Sequence, residues 1–296
     1  MRLDDALGPM WRAHADLRRR VSRRGGEGPA LDVVGTSDRS DLDRWNAATE
    51  AAREAYRTAV APAAGSLAVV CVSNRPWQLA NVLANVRRQR HPVPEFLLVL
   101  NTDDVGLSQV SDAMAVLDGD GVRWSLLSRS SDISLGHCLN AALVHTDARY
   151  IAKFDDDDIY GPEFIADSLR AHAYAAAGVV GKHSYYAHLV DSDELALRFP
   201  AHEFTYSSTL AGGTLVIDRD LVGEQRFADI SLGEDRAFIR QCHRRGISTF
   251  SADRFGYVQT RSSDNTWTIP RDEFLEKSVV VDGGTAIDSA VAEVLR

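Results

Sequence analysis

The sequence has only three cysteines in 296 residues, Cys71, Cys138 and Cys242, and no CxxC spacing. Neither a disulfide framework nor a zinc knuckle is expected, and the three read as reduced, buried thiols. Long apolar runs are missing too. The longest, 67–72, has six residues, against the roughly 20 that a membrane span requires. No apolar signal-peptide core follows Met1, so the expected compartment is the cytoplasm. Positive charge is in deficit: 33 Lys and Arg face 42 Asp and Glu, a net charge of −9, and nucleic acid is not an expected partner. What is present is ordinary for a folded chain. Hydrophobic residues at 45% and charged residues at 25% argue against disorder and fit one large α/β domain with extensions.

Residues 1–65 are rich in Ala and Arg, with Arg24-Gly25-Gly26-Glu27-Gly28-Pro29 separating two helical stretches. In the first, Leu3, Leu7, Met10, Leu17 and Val21 share a stripe interrupted by His14, and Arg18, Arg19, Arg20, Arg23 and Arg24 gather at its end. This N-terminal extension is expected to dock on the body, to mediate self-association, or to touch an anionic membrane surface peripherally. From Ser66 onward short apolar strands alternate with amphipathic helices, as in a mainly parallel sheet covered on both faces. Strands are expected at 67–72, 96–100, 122–127 and 150–154. The helix after the first carries Leu79, Val82, Leu83 and Val86 at i, i+3, i+4 and i+7; others are expected over 107–118 and 135–146. This is a nucleotide-binding type of half, with ligands at the strand ends. The second half is less regular. Extended segments at 179–190, 195–199, 213–217 and 255–259 and a helix over 234–245 suggest a smaller mixed sheet, and 269–296 form a tail with a last helix.

The strongest chemical signal is Lys153-Phe154-Asp155-Asp156-Asp157-Asp158, where an apolar strand ends in four consecutive carboxylates. In an extended segment alternate residues share a side, so Asp155 and Asp157 can converge while Asp156 and Asp158 face elsewhere. A divalent cation would relieve the repulsion, and hard oxygen ligands suit Mg²⁺ or Mn²⁺. A helix cap ahead of Pro162 would need only one carboxylate. An EF-hand loop counted from Asp155 fails, since Tyr160 and Ala166 stand where Gly and Glu are required. The second signal is Gly233-Glu234-Asp235 at a helix start, where carboxylates either answer the helix dipole or remove a proton from a hydroxyl. Lys182 and His183, at a strand end, are given no fixed role, since a satisfied surface pair explains them as well.

Six segments in order resemble glycosyltransferase family 2, with the GT-A fold, over roughly 66–268: Val69 to Pro76, Leu98 to Asp104, Leu135 to Ala142, Tyr150 to Asp158, Gly212-Gly213-Thr214, and Gly233-Glu234-Asp235. The resemblance implies a Rossmann-like, mostly parallel sheet merged with a smaller mixed-sheet acceptor half. It implies that Ser73, Asn74, Arg75 and Asp103 or Asp104 hold the nucleotide base and ribose. The family's DxD motif falls on Asp155, Asp156 and Asp157, the first near ribose or metal and the last on a metal bridging the diphosphate. Glu234 and Asp235 match its acceptor-side acidic pair, with Asp235 the catalytic base. Gly212 and Gly213 fall where the family's chain passes close to donor sugar or acceptor, as glycine permits. One departure stands out: many members carry a late histidine on the metal, and this chain has Asn265 there, whose amide oxygen can also bind a hard cation. Arg261 could instead neutralise the diphosphate, and Trp267 could stack on a sugar or fill the core.

The implied activity is metal-dependent, inverting transfer of a sugar from a nucleotide-diphosphate donor, with UDP-sugar expected, by single displacement. Mn²⁺ or Mg²⁺ is the implied cofactor, and the acceptor hydroxyl belongs to a glycan, a lipid-linked molecule or a small molecule. The alternatives are a nucleotidyltransferase, whose glycine-rich basic loop is missing from Ser73-Asn74-Arg75-Pro76, and a catalytically inactive sugar-nucleotide or glycan binding protein.

Overall fold

The computed structural model describes Gly8, residues 36–103, 106–263, Asn265, 268–283 and 287–296. The first expected helix, Asp104 and Trp267 lie outside the described residues. In chain order the elements are α1 (Thr36–Ala59), β1 (Leu67–Ser73), α2 (Leu79–Arg87), β2 (Glu95–Asn101), α3 (Leu107–Met114), β3 (Arg123–Arg129), α4 (Leu135–Val144), β4 (Tyr150–Phe154), β5 (Ile159–Tyr160), α5 (Phe164–Ala175), β6 (Val179–Gly181) and β7 (Tyr185–Leu189). They continue with β8 (Glu194–Arg198), β9 (Thr205–Tyr206), β10 (Val216–Asp218), α6 (Arg219–Val222), α7 (Glu234–Arg244), β11 (Thr249–Ser251), β12 (Tyr257–Arg261), α8 (Arg271–Leu275), β13 (Ser278–Gly283) and α9 (Ile287–Val294).

The larger sheet has eight strands in the order β3-β2-β1-β4-β10-β6-β11-β9. Its first four strands are parallel. β1, β2 and β4 are almost continuously buried, as strands covered on both faces must be. One apolar cluster packs α2 and α3 on one face through Val82, Val86, Val110 and Met114. The other packs α4 and α7 through Cys138, Leu139, Phe238 and Cys242. All three cysteines are free and buried. The smaller sheet runs β13-β8-β7-β12-β5. The expected extended run at 179–190 is two strands in different sheets, β6 and β7, and the stretch at 212–214 is a short 3₁₀ turn ahead of β10. At this turn the chain passes close to three acidic side chains, as shown below.

Parallel pairing puts Cys71 of β1 opposite Phe154 of β4. The segments after these two strands therefore leave the sheet side by side, and Ser73 to Arg75 meets the acidic run. α1 packs through buried Ala52 and Tyr56 against α5 and β11. Its Arg57 reaches Asp167 of α5 at 2.7 Å, and its Asn46 accepts a hydrogen bond at 2.7 Å from Arg254, which is itself fully buried and paired with Glu203.

Candidate active site

Strand β4 ends at Phe154, and residues 155–158 form a bend rather than an extended run. The alternation expected from an extended segment survives in burial only: Asp156 and Asp158 are buried, Asp155 and Asp157 half-buried. Each carboxylate is answered by a neighbouring donor. Adjacent Asp156 and Asp157 share one guanidinium, that of Arg75, with Nη1 2.8 Å from Asp157 Oδ2 and a second contact from Nη2 to Asp156. Ser73 Oγ also donates to Asp156. Asp155 is met by the buried ammonium of Lys153. Asp158 accepts from Tyr257 Oη at 2.5 Å and from the Thr260 backbone N–H at 3.0 Å.

The backbone of the bend is held by two asparagines of α2, spaced i, i+4 on its inner face. Asn81 Nδ2 donates to the carbonyls of Asp156 and Asp158 at 2.8 and 2.9 Å. Asn85 Nδ2 donates to the Asp158 carbonyl at 2.8 Å, and its Oδ1 accepts from the Tyr160 N–H at 3.0 Å. Tyr160 Oη accepts from the Asp155 N–H at 2.7 Å and donates to the Gly213 carbonyl at 2.6 Å. Sequence reasoning passed over both asparagines. The signal was there in the tandem Leu79-Ala80-Asn81-Val82 and Leu83-Ala84-Asn85-Val86, which places two amides among apolar residues on a buried face.

The dipeptide Gly212-Gly213 joins the two acidic regions. A Cβ on Gly213 would stand 2.7 Å from Asp155 Oδ2, 2.8 Å from Asp158 Oδ2 and 3.0 Å from Tyr257 Oη, and one on Gly212 would stand 2.9 Å from Asp235 Cγ. Neither position has room for a side chain. Consecutive Cα atoms are about 3.8 Å apart, so Asp235 and the acidic bend flank one short stretch of backbone.

Electrostatics tie the two regions together. Burial would lower the Lys153 pKa, but Asp155 and Glu234, with Asp235 behind them, raise it instead. Glu234 is 5% exposed. Its pKa is raised to about 7, first by burial and then by Asp235 and Asp155, with Lys153 pulling it down. Burial raises Asp158 strongly, and the charges of Asp157 and Asp155 add to it. Burial also raises Asp156, against the opposing pull of Arg75. Asp235 is half-buried, and its Oδ1 accepts from the Arg236 N–H at 2.6 Å.

The remaining expected site residues fall as follows. Asn74 is exposed at the β1 exit. A narrow crevice beside Ser73 and Arg75 is walled by Leu79, Val82, Leu98, Leu100 and Val110. Asp103 is exposed beyond β2, and hydrogen bonds from Ser131 lower its pKa. Asn265 does reach the cluster, but through its NH₂ group: Nδ2 donates to Asp157 Oδ2 at 2.6 Å and to the Thr260 carbonyl at 3.0 Å, while Oδ1 accepts from the Ser262 N–H at 2.6 Å. In this arrangement the NH₂ group orients Asp157, and the oxygen keeps one lone pair beyond its bond from Ser262. Arg261 is buried nearby, where burial lowers its pKa and Tyr185, Asp158 and Asp157 oppose that shift. Lys182 is not a surface residue. It is 2% exposed, and its Nζ donates to the Asp253 carbonyl at 2.7 Å.

The donor set suits a divalent cation of the Mg²⁺ or Mn²⁺ type. Among the described residues no three His, Cys, Asp or Glu side chains are grouped so that together they could hold a metal ion. Mg²⁺-type sites commonly have one or two protein carboxylates completed by substrate phosphates, and Asp155 and Asp157 are the more accessible carboxylates of the bend.

A parallel β3-β2-β1-β4 half, continued across an antiparallel β10 and joined to a smaller mixed sheet, with an acidic bend leaving the fourth strand, defines the GT-A type of fold. The chain is similar to the mannosyltransferase PcManGT from Pyrobaculum calidifontis, solved in complex with GDP-Man and Mn²⁺, with a TM-score of 0.54 and 15% identity over 77% of this chain and 69% of that one. It is also similar to S. aureus TarS 1-349 in complex with UDP-GlcNAc, with a TM-score of 0.52 and 14% identity over 71% of this chain and 63% of that one. The chain thus spans a little under two thirds of that TarS fragment. At these identities the likeness is one of fold. No protein-family model and no curated protein sequence matches the chain.

Proposed function

We propose that the protein is a metal-dependent, inverting glycosyltransferase of the family 2 kind, which moves a sugar from a UDP-sugar or another nucleotide-diphosphate sugar to an acceptor hydroxyl. The observation that carries this reading is the Gly212-Gly213 dipeptide, one residue against Asp235 and the next against Asp155 and Asp158. A candidate base and a candidate diphosphate site lie within one substrate's reach. The two similar structures, one with GDP-Man and Mn²⁺ and one with UDP-GlcNAc, support a nucleotide-sugar donor.

In this reading Asp157, with Asp155, holds a divalent cation, which when bound supplies positive charge to the departing diphosphate. Asn265 orients Asp157, and Ser73, Asn74 and Arg75 at the end of β1, with Asp103 beyond β2, hold the nucleotide. Asp235 accepts the acceptor's proton as its oxygen bonds to the anomeric carbon and the bond to the diphosphate oxygen breaks, so that one in-line step inverts the configuration. Lys153 pairs with Asp155 and lies toward Glu234. The test is incubation with a panel of nucleotide sugars and Mn²⁺, reading release of nucleoside diphosphate, with D235N alongside. Release by the wild type and loss in D235N with donor binding retained is the expected result. Pyrophosphate release would point to nucleotidyl transfer instead, and normal turnover by D235N would remove Asp235 from the role of base.

A further inference from the structure

The acidic bend already has a cation of its own. The Arg75 side chain is 15% exposed and spans two consecutive carboxylates, with Nη1 2.8 Å from Asp157 Oδ2 and Nε 3.2 Å from Asp156 Oδ2. Its backbone is fixed as well, because the Arg75 N–H donates to Ser73 Oγ at 3.0 Å and that hydroxyl donates onward to Asp156. Asp157 Oδ2 takes a second donor, Asn265 Nδ2, at 2.6 Å. The carboxylate expected to face a metal is therefore already bonded from two sides, and one donor is a full positive charge.

We propose that Arg75 is a resident counter-cation of this site, so that a divalent cation binds well only together with a nucleoside diphosphate, which gives the displaced guanidinium a new partner. The inference rests on the glycosyltransferase reading above. A cation arriving alone has to stand beside Arg75, and like charges at contact distance repel strongly where water is partly excluded. If the guanidinium moves away, it gives up two carboxylates, and a partly buried charge left without partners is costly. A diphosphate removes both difficulties. It adds negative charge, and its oxygens match the planar fork of an arginine as well as a carboxylate does. Arg75 stands just past the carboxyl end of β1, where a sheet of this kind places its ligand, so the diphosphate of the proposed donor would arrive beside it. Each ligand must then strengthen binding of the other by the same factor.

The test measures Mn²⁺ binding to the full chain by the EPR signal of free Mn²⁺, without acceptor, and with and without saturating UDP or GDP. For the wild type, weak binding alone and about tenfold tighter binding with nucleotide is expected. R75Q removes the competing charge, so it should bind Mn²⁺ alone about tenfold more tightly than the wild type, and nucleotide should add little. R75K keeps a charge but cannot bridge both carboxylates. It serves if R75Q melts early, and it too should bind Mn²⁺ alone more tightly than the wild type. If neither variant gains affinity while nucleotide still tightens Mn²⁺ binding to the wild type, the role of Arg75 is overturned and the enzyme reading stands. If the wild type binds no Mn²⁺ with either nucleotide, both are overturned.

Discussion

The ammonium of Lys153 meets the carboxylate of Asp155 with only 5% of the lysine side chain exposed. Lys153 precedes Phe154, the last residue of β4, and its charge answers carboxylates on two separate elements, Asp155 on the bend and Glu234 on α7. Removing one partner of a buried pair leaves an uncompensated charge, so Lys153 joins the two halves of the site both electrostatically and by position.

That coupling makes Glu234 a pH-sensitive group. Its pKa moves from 4.5 to about 7, first through burial. An acid that holds its proton more tightly folded than unfolded contributes stability that is complete below pH 4.5 and is lost as pH rises through about 7. Glu234→Gln is expected to flatten that part of the melting-temperature curve between pH 4.5 and 7, and to be at least as stable as the wild type above it. Thermal melts of both proteins across that range check this. Parallel curves throughout would mean that Glu234 titrates as it does in the unfolded chain.

The two glycines should fail in different ways when each is replaced by alanine. Gly213→Ala puts a methyl group 2.7 Å from Asp155 Oδ2 and 2.8 Å from Asp158 Oδ2, and should weaken joint binding of Mn²⁺ and UDP. Gly212→Ala presses on Asp235 instead. It should lower kcat on the order of a hundredfold, as a misplacement of about 1 Å can, with Mn²⁺ and UDP binding nearly unchanged. Steady-state kinetics and calorimetric titration of the two variants separate these outcomes. An identical defect in both would mean that the dipeptide only shapes the turn.

The half of the fold built from β1, β2 and β4 was legible because each strand is an apolar run buried on both faces and each following helix carries a regular apolar stripe. The second half resisted because β5 and β9 have two residues each and β6, β10 and β11 three, too short to show any period. β13 escaped the reading altogether, since what makes it a strand is pairing with β8. Within the site, four adjacent carboxylates betray themselves by their repulsion. What answers them does not: Arg75, Asn81, Asn85 and Tyr257 come from distant positions, and only the packing of β1, α2 and β12 around β4 brings them there. Lys182 has no role legible in the sequence for a similar reason, because its partner Asp253 arrives on the segment after β11.

The asparagine pair on α2 yields the prediction that bears most directly on how a self-repelling run of carboxylates keeps one shape. Asn85 is fully buried, and its amide satisfies two backbone groups at once, the Asp158 carbonyl and the Tyr160 N–H. The Asp158 carbonyl keeps its bond from Asn81, so the substitution orphans the Tyr160 N–H; a buried group left without a partner costs about 1–3 kcal/mol, and Asn85→Ala is expected to lower unfolding free energy by about that much. Asn81 is only half-buried, and water can replace part of what its amide gives to Asp156 and Asp158. Asn81→Ala should therefore cost about 1 kcal/mol while loosening the bend, which would appear as weaker joint binding of Mn²⁺ and UDP in a protein that still melts cooperatively. Urea unfolding and metal–nucleotide titration of both variants measure the two effects. If Asn85→Ala unfolds at the wild-type urea midpoint, the bend does not depend on the α2 amides, and the pairing of Arg75 and Tyr257 with the carboxylates would have to hold it alone.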